Sequence, residues 1–169
     1  MKIRSLLLVI GIGNVAVLAL ILTIMLFSIG NLRQSEKAKN FISLEQELLY
    51  DLTALYSAGL QTEQATRNVI LNPKDDTARE NYRKAHGEFM SLLDESTALA
   101  SGPQQDELTR MRGKWLKVHE MKTDVQQLAA AGKQSAAIEL LTQRETPAWR
   151  EVKESLLRLI KEQKETLRH

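Results

Sequence analysis

The stretch LYSAGLQTEQATRNVILNPKDD, residues 55–76, contains the end of one long helix and the start of the next. Leu48, Leu52 and Leu55 recur at spacings of four and three, which predicts a single buried stripe along a helix. Pro73 disfavours helical geometry at the residue before it and is itself suited to open a new helix. The stretch therefore predicts a helix that stops near residue 72 and a second helix that packs back against it.

The same kind of break recurs twice further along the chain. Gly102 followed by Pro103 combines a stop with a start, and Gly132 gives a third break. Short connections between long amphipathic helices make neighbouring helices antiparallel. The predicted fold is all-α, with an N-terminal transmembrane helix continuous with an up-down-up-down antiparallel four-helix bundle. The predicted helices cover about residues 31–72, 74–101, 103–131 and 134–169.

Each of the last three predicted helices carries apolar residues at helical spacing, and we assign these residues to the bundle core. The assigned positions are Tyr82, Ala85, Phe89, Leu92 and Leu99, then Leu108, Met111, Trp115, Val118, Val125 and Leu128, then Ile138, Leu141, Val152, Leu156, Leu159 and Ile160.

Composition narrows the classes of function. The net charge of +2 over 169 residues is too small to indicate a nucleic-acid partner, and the absence of cysteine excludes a disulfide framework. The sequence has no Gly-rich phosphate loop, no strand-based nucleophile elbow and no H-E-x-x-H pattern. It therefore predicts a protein that is not an enzyme and that uses no cofactor.

No charged side chain occurs between Arg4 and Arg33, a run of 28 residues, whereas a bilayer core needs about 20 in helical form. A cleavable signal peptide would have an apolar region of only about 7–15 residues. We predict an uncleaved transmembrane anchor at 5–32, a cytoplasmic tail at 1–4 and a periplasmic domain at 33–169. Basic residues flank both ends of the span, so the orientation rests on the tendency of short N-terminal tails to remain in the cytoplasm.

Helix lengths set a geometric expectation for the end of the chain. The first helix runs about 60 Å from residue 31 to residue 72, at about 1.5 Å per residue. The fourth helix returns over a similar distance from residue 134. The 169 residues are thus expected to end just short of a second transmembrane span.

Together these features resemble the four-helix-bundle sensor domain of methyl-accepting chemotaxis proteins, the group that includes the aspartate and serine receptors. The matching segments are LLLVIGIGNVAVLALILTIMLF (6–27), LQTEQATRNVILNP (60–73) and LAAAGKQSAAIELLTQRETPAWREVKESLLRLI (128–160). The resemblance covers nearly the whole chain.

The resemblance implies a chemotaxis signal-transduction protein of the bacterial inner (cytoplasmic) membrane, whose periplasmic sensor is a homodimer. Its ligand-binding domain takes a small molecule or a periplasmic binding protein far from the membrane, through helices one and four. A small shift of helix four then passes the signal to a second span and a cytoplasmic output, neither of which is among these residues. Similar bundles precede histidine kinases and cyclic-nucleotide enzymes, so the output module stays open.

The stripe of the first helix becomes small and polar beyond Leu55, where its rhythm selects Gly59, Thr62 and Thr66. One interpretation is a cavity for a small ligand. Pro147 on helix four lacks a backbone N–H, so it should bulge that helix and free a carbonyl near residue 143. The candidate ligand-binding residues are Gln61, Thr62, Gln64, Thr66, Arg67, Arg144, Thr146 and Trp149.

The alternative interpretation is structural, because small residues also permit close helix packing and an arginine on a bundle is usually solvated. Aspartate-type receptors group several arginines on helix one, whereas this stretch has only Arg67. That departure argues against an amino-acid dicarboxylate and leaves a partner protein as a possible input. The rival function is a membrane-anchored helical adaptor or structural bundle, which predicts a sealed apolar core.

His86 and His119 fall at nearly the same depth on adjacent antiparallel helices and are expected to face one another. Imidazoles bind metals and titrate near neutral pH. Two histidines without a third ligand make a weak metal site, so we predict no bound metal and regard both as partly exposed structural residues.

Overall fold

The computed structural model describes residues 2–168, with side chains at residues 22, 24–28 and 30–168. Its elements are α1 (Lys2–Leu71), α2 (Asp76–Leu99), α3 (Gly102–Ala130), α4 (Gln134–Leu140), a π-helical turn (Leu141–Glu145) and α5 (Thr146–Thr166). The last three follow one another without a break and are together called the fourth helix. Across 2–168 there is no strand, and the predicted all-α class with four helices is confirmed.

The chain divides into two compact units, Met1–Ser43 and Leu44–His169. In the first unit, the apolar side chains of Leu22 and Phe27 are 63% and 71% exposed. No helix is long and apolar enough to cross a membrane within the described residues. Most side chains of the predicted span at 5–32 lie outside the described residues. The side chains described there do not support a membrane span.

The N-terminus of α2 is fixed by an aspartate. The Asp75 side chain accepts a hydrogen bond from the N–H of Ala78 at 3.0 Å, which makes it the N-cap. An N-cap carboxylate satisfies a backbone donor that has no partner inside the helix. The helix therefore begins at Asp76, two residues after the predicted start, and Pro73 lies in the turn before it.

The end of α3 is closed by a left-handed glycine. Gly132 has a φ of 75°, a conformation that side chains with a Cβ rarely adopt. The N–H of Gly132 donates to the carbonyl of Ala129 at 3.0 Å, and the N–H of Lys133 donates to that of Leu128 at 2.9 Å. These two bonds form a Schellman motif that ends α3 where the sequence predicted.

Residues 44–168 pack as an antiparallel bundle. Side-chain contacts pair the beginning of one helix with the end of its neighbour, both for α1 with the fourth helix and for α2 with α3. The pairs are Glu45–Gln163, Ile70–Gln134, Tyr82–His119 and Asp94–Arg112.

The bundle core consists of two apolar clusters. The larger one contains Phe89 and Trp115, both 0% exposed, and the smaller one contains Val69 and Ala137. Between them lies a layer of buried polar side chains on α1, α3 and the fourth helix. Most assigned core positions are buried or half-buried, but the assignment of Ile138 is wrong: it is 47% exposed, and the neighbouring Ala137 is buried instead.

Candidate functional site

The buried polar layer is built around a lysine. Lys122 on α3 is 0% exposed, and its Nζ lies 2.6 Å from Oε1 of Glu145. The same ammonium donates to Oε1 of Glu63 on α1, whose side chain is 7% exposed. Glu145 belongs to the π-helical turn and is fully buried. One ammonium thus ties three helices together through two carboxyl groups, and we call Glu63, Lys122 and Glu145 the charge cluster.

A fourth charged residue, Arg67, links the charge cluster to the protein surface. Nη2 of Arg67 lies 3.5 Å from Oε2 of Glu63, and the Arg67 side chain is 58% exposed. Burial raises the pKa of Glu145 to about 7; the Lys122 ammonium opposes this shift and Glu63 adds to it. The rise shows that desolvation outweighs the attraction of the lysine for this carboxyl group.

Two predicted ligand-binding residues lie inside the core. The Thr62 hydroxyl donates to the carbonyl of Gly59 at 2.7 Å, within its own helix. The Thr66 hydroxyl is also fully buried, and no described group forms a hydrogen bond with it. Both threonines therefore line the interior of the bundle near the charge cluster.

The glycine in the stripe makes room for a tryptophan. A Cβ built on Gly59 would lie 2.7 Å from Cζ3 of Trp149, closer than real carbon atoms approach. The Trp149 side chain is 4% exposed and packs edge-to-face on Trp115, with ring centroids 5.9 Å apart. The Trp149 indole fills the space that Gly59 leaves. This is expected if the small residues of the stripe permit close helix packing.

The replacement Gly59→Ala should lower the free energy of unfolding by about 1–3 kcal/mol, because the new methyl displaces the Trp149 indole. Gly87→Ala is the matched control, since a Cβ there meets nothing within 4 Å. The control should gain about 0.5–1 kcal/mol from the better helix propensity of alanine. Urea unfolding followed by circular dichroism measures both, and equal changes in the two variants would contradict the tight contact.

A groove of about 550 Å³ runs between α1 and the fourth helix. Four of the predicted residues line it, namely Gln64, Arg67, Thr146 and Trp149. The remaining lining residues are Leu60, Glu63, Asn68, Leu71, Arg150 and Lys153. The groove is therefore lined by Glu63 of the charge cluster on one side and by two cationic side chains of α5, Arg150 and Lys153, on the other.

The other exposed candidates lie elsewhere. Gln61 lines a groove of about 270 Å³ between α1 and α2, where Gln64 also contributes. Arg144 lines a cavity of about 540 Å³ between α3 and the fourth helix, beside Asp124 and Lys133. The eight predicted residues thus do not form one site, and their role in binding stays a prediction.

The fourth helix bulges where proline was expected to disturb it. The N–H of Thr146 donates to the carbonyl of Leu141, a bond across five residues that defines a π-helical turn. Pro147 follows directly and has no N–H to continue an α-helical ladder. The expected bulge is confirmed, and it places Thr146 at the groove and Glu145 in the core.

The two histidines face one another, as the register predicted. Their rings are stacked with centroids 3.7 Å apart. The Tyr82 hydroxyl lies 2.7 Å from Nδ1 of His119, and the indole N–H of Trp115 donates to Nδ1 of His86 at 3.2 Å. Burial and the neighbouring imidazole lower the pKa of His86 to about 4, and burial also lowers that of His119.

The absence of a bound metal at this pair of histidines stays a prediction. Within the described part of the chain, no group of three or more His, Asp or Glu side chains is placed to hold a metal ion. The Nδ1 atoms of both rings are engaged by neighbouring side chains. The stacked pair fits a structural role.

Sequence reasoning missed the charge cluster and the cations of α5. A signal for Lys122 was present, because the apolar rhythm of Trp115, Val118 and Val125 selects position 122 as well. Glu145 likewise falls four residues after Leu141 on a buried stripe. Charged residues on an apolar stripe indicate buried ion pairs, since an unpaired charge is seldom buried.

Comparisons with known proteins do not identify a function for this chain. No protein-family model, no curated protein sequence and no solved structure matches the chain.

Proposed function

We propose that this chain is the sensor part of a transmembrane chemoreceptor, which detects a periplasmic small molecule and transmits the signal by a shift of the fourth helix. The observation that carries the proposal is the groove between α1 and the fourth helix. It is the largest of the three cavities described above and is formed by the first and last helices of the bundle. A ligand in it would contact both helices at once.

The groove suits a small anion with an apolar part. Arg67, Arg150 and Lys153 supply three cationic side chains, and Leu60 supplies apolar surface that is 41% exposed. Arginine holds a carboxylate or phosphate through two parallel hydrogen bonds. Glu63 is the acidic residue of the lining, and its Oε1 already accepts from Lys122.

The position of the groove supports signal transmission through the fourth helix. Thr146 lines the groove and directly follows the π-helical turn. A π-helical turn departs from regular helical hydrogen bonding and often marks a functional segment. A ligand that pulls on Thr146 or Arg150 would act at this irregular point, so α5 would move relative to α1.

A membrane location remains part of the proposal. Leu22, Ile24, Met25, Leu26 and Phe27 are each more than half exposed. Exposed apolar patches mark surfaces that face lipid or another chain, so the bilayer is kept as a proposal, although no helix within the described residues is long and apolar enough to span it. We place the chain in the bacterial inner membrane with the bundle in the periplasm, as a homodimer.

The alternative function is a membrane-anchored adaptor, or the input domain of a histidine kinase or cyclic-nucleotide enzyme. The exposed Leu71, at 80%, beside the groove favours a protein partner over a small molecule. A periplasmic binding protein could use the same surface. Such a partner would contact the leucines at the rim of the groove.

Thermal unfolding of the full chain in mild detergent tests the proposal, with a panel of monocarboxylates, dicarboxylates, amino acids and inorganic phosphate. A ligand that binds only the folded form should raise the melting temperature by about 5 °C at about 100 times its Kd. Arg67→Ala and Arg150→Ala should each abolish the rise, because both side chains line the groove.

Arg110→Ala is the matched control for these variants. Arg110 is 63% exposed and pairs with Glu107 three residues away, much as Arg67 pairs with Glu63. It lies outside the groove, so its variant should keep the full rise. A ligand whose effect survives Arg67→Ala and Arg150→Ala would place binding elsewhere, and a flat response to the whole panel would favour the adaptor.

A further inference from the structure

The charge cluster holds more negative than positive charge, and its three side chains are almost wholly buried. Lys122 and Glu145 are 0% exposed, and Glu63 is 5% exposed as a whole residue. With every group ionised, two carboxylates surround one ammonium, and a net negative charge is buried. A buried charge without a compensating partner is strongly disfavoured, so the arrangement calls for one more positive charge or one proton.

A second observation points to the proton. Oε2 of Glu63 is buried and has no hydrogen-bond partner among the residues that the structure describes. The Arg67 guanidinium lies 3.5 Å from this oxygen, too far and too exposed to neutralise the cluster fully. Both carboxyl groups lie against the same ammonium: Nζ of Lys122 is 2.6 Å from Oε1 of Glu145 and also contacts Oε1 of Glu63. Two carboxyl groups held this close to one ammonium repel each other when both are ionised, and a proton on one of them removes that repulsion.

We propose that Glu63, Lys122 and Glu145 form a buried proton-binding site, in which the two carboxyl groups share one proton that is released as the pH rises. The inference is independent of the proposed function, because it needs no ligand in the groove. Proton binding here is reversible and involves no other reactant. It makes the π-helical turn, which carries Glu145, responsive to pH.

Charged and titratable side chains lie near the charge cluster on each of the four helices. Arg67 on α1 faces Glu63 from the solvent side, with Nη2 3.5 Å from Oε2 of that residue. Tyr82 on α2 is a buried neutral hydroxyl whose pKa is raised by burial and, to a smaller extent, by Glu145 and Glu63. On the fourth helix itself, Arg144 is exposed and its side chain lies in a different cavity. Lys122 on α3 remains the fully buried cation of the group.

The sign of the pH dependence follows from the pKa of Glu145, which is about 7 in the folded chain against an ordinary value of 4.5. Between these two values the folded state binds more protons than the unfolded state. Stability from this group is therefore present below pH 4.5 and is lost as the pH rises to about 7.

His86 acts in the opposite direction. Its pKa is about 4 in the folded chain against an ordinary value of 6.5, so the unfolded state binds more protons between these values. Stability from this group is lost as the pH falls through that window. The two effects oppose each other between about pH 4.5 and 6.5, so the melting temperature of the unaltered chain alone would not reveal the proton site.

The test compares Glu145→Gln with the unaltered full chain from pH 5 to pH 8, since glutamine imitates the protonated carboxyl group. The histidine contribution is common to both chains and cancels in the difference. The melting temperature of Glu145→Gln relative to the unaltered chain should increase by about 5 °C from pH 5 to pH 8. Glu139→Gln, a change at an exposed position on α4, should show no such trend.

A direct readout uses the chain labelled with ¹³C at the glutamate carboxyl carbon. One signal should titrate near pH 7 and should be missing in Glu145→Gln, while Glu63→Gln should move its midpoint downward by removing the carboxyl partner. A constant or falling relative melting temperature, or the absence of any glutamate signal that titrates between pH 6 and 8, would overturn the proposal. If Glu145→Gln fails to fold, the labelled unaltered chain and Glu63→Gln still decide the question.

Discussion

Replacing Lys122 by methionine should lower the free energy of unfolding by about 3–5 kcal/mol at pH 8. The change removes the ammonium that contacts both Glu145 and Glu63 and leaves two carboxyl groups buried together. Methionine fills a similar volume, so the loss reflects charge rather than a cavity. Urea unfolding of the full chain, followed by circular dichroism at 222 nm, measures the change.

The matched control is Lys117→Met, an exposed lysine on the same helix. It should change stability by no more than about 0.5 kcal/mol. The double variant Lys122→Met with Glu145→Gln should recover part of the loss, because it removes one of the stranded carboxylates. If Lys122→Met were no more destabilising than Lys117→Met, the ammonium would not be needed to hold the cluster together.

The second large effect is expected at Trp115, where the change to alanine should lower the free energy of unfolding by about 3–5 kcal/mol. Its side chain is 0% exposed and stacks on Phe89 with ring centroids 3.7 Å apart. The indole N–H also donates to His86, so the variant loses a hydrogen bond as well as packing. Thermal and urea unfolding of the full chain both report this loss.

Leu116→Ala serves as the control for that substitution. Leu116 is the next residue along α3 and is 48% exposed. Its variant should stay within about 1 kcal/mol of the unaltered chain, because little apolar surface is taken out of a packed environment. Trp115→Phe keeps an aromatic ring but removes the donor and part of the buried volume, so its loss of stability should be smaller than that of Trp115→Ala. A small effect from both Trp115 variants would contradict the central place of this indole in the core.

The helices could be predicted from the sequence because their signals are local. Pro73, Gly102 and Gly132 interrupt the apolar rhythm at three places, and a helix ends beside each of them. Asp75 shows the limit of that reasoning. An aspartate suits both the N-cap and the first turn of a helix, so the residue type does not decide its position, and the predicted start of α2 is two residues too early.

The content of the core was harder to predict, because periodicity tells which face is buried but not what fills it. From the sequence, the stripe through Gly59, Thr62 and Thr66 predicts either a cavity for a ligand or close helix packing. The indole of Trp149 comes from a helix about 90 residues further along the chain and occupies that space. Only the packing of α1 against the fourth helix could show this.

The cations of the groove could not have been selected from the sequence. Arg150 and Lys153 look like ordinary surface charges on an amphipathic helix, and nothing in their spacing distinguishes them. They join Arg67 only because α5 lies beside α1. The charge cluster differs, since Lys122 and Glu145 break apolar stripes and could have been recognised as buried.

The π-helical turn at Leu141–Glu145 also matters for any comparison of this chain with other helical bundles. A π-helical turn holds about one residue more than the α-helical turn that it replaces, so it acts as a one-residue insertion in the fourth helix. The buried positions Ala137, Leu141, Glu145 and Trp149 follow one another in steps of four, longer than the 3.6 residues of a regular turn. An alignment with an uninterrupted helix therefore needs a one-residue gap within this turn. A gap elsewhere would rotate the aligned stripe by about 100° and pair buried residues with exposed ones.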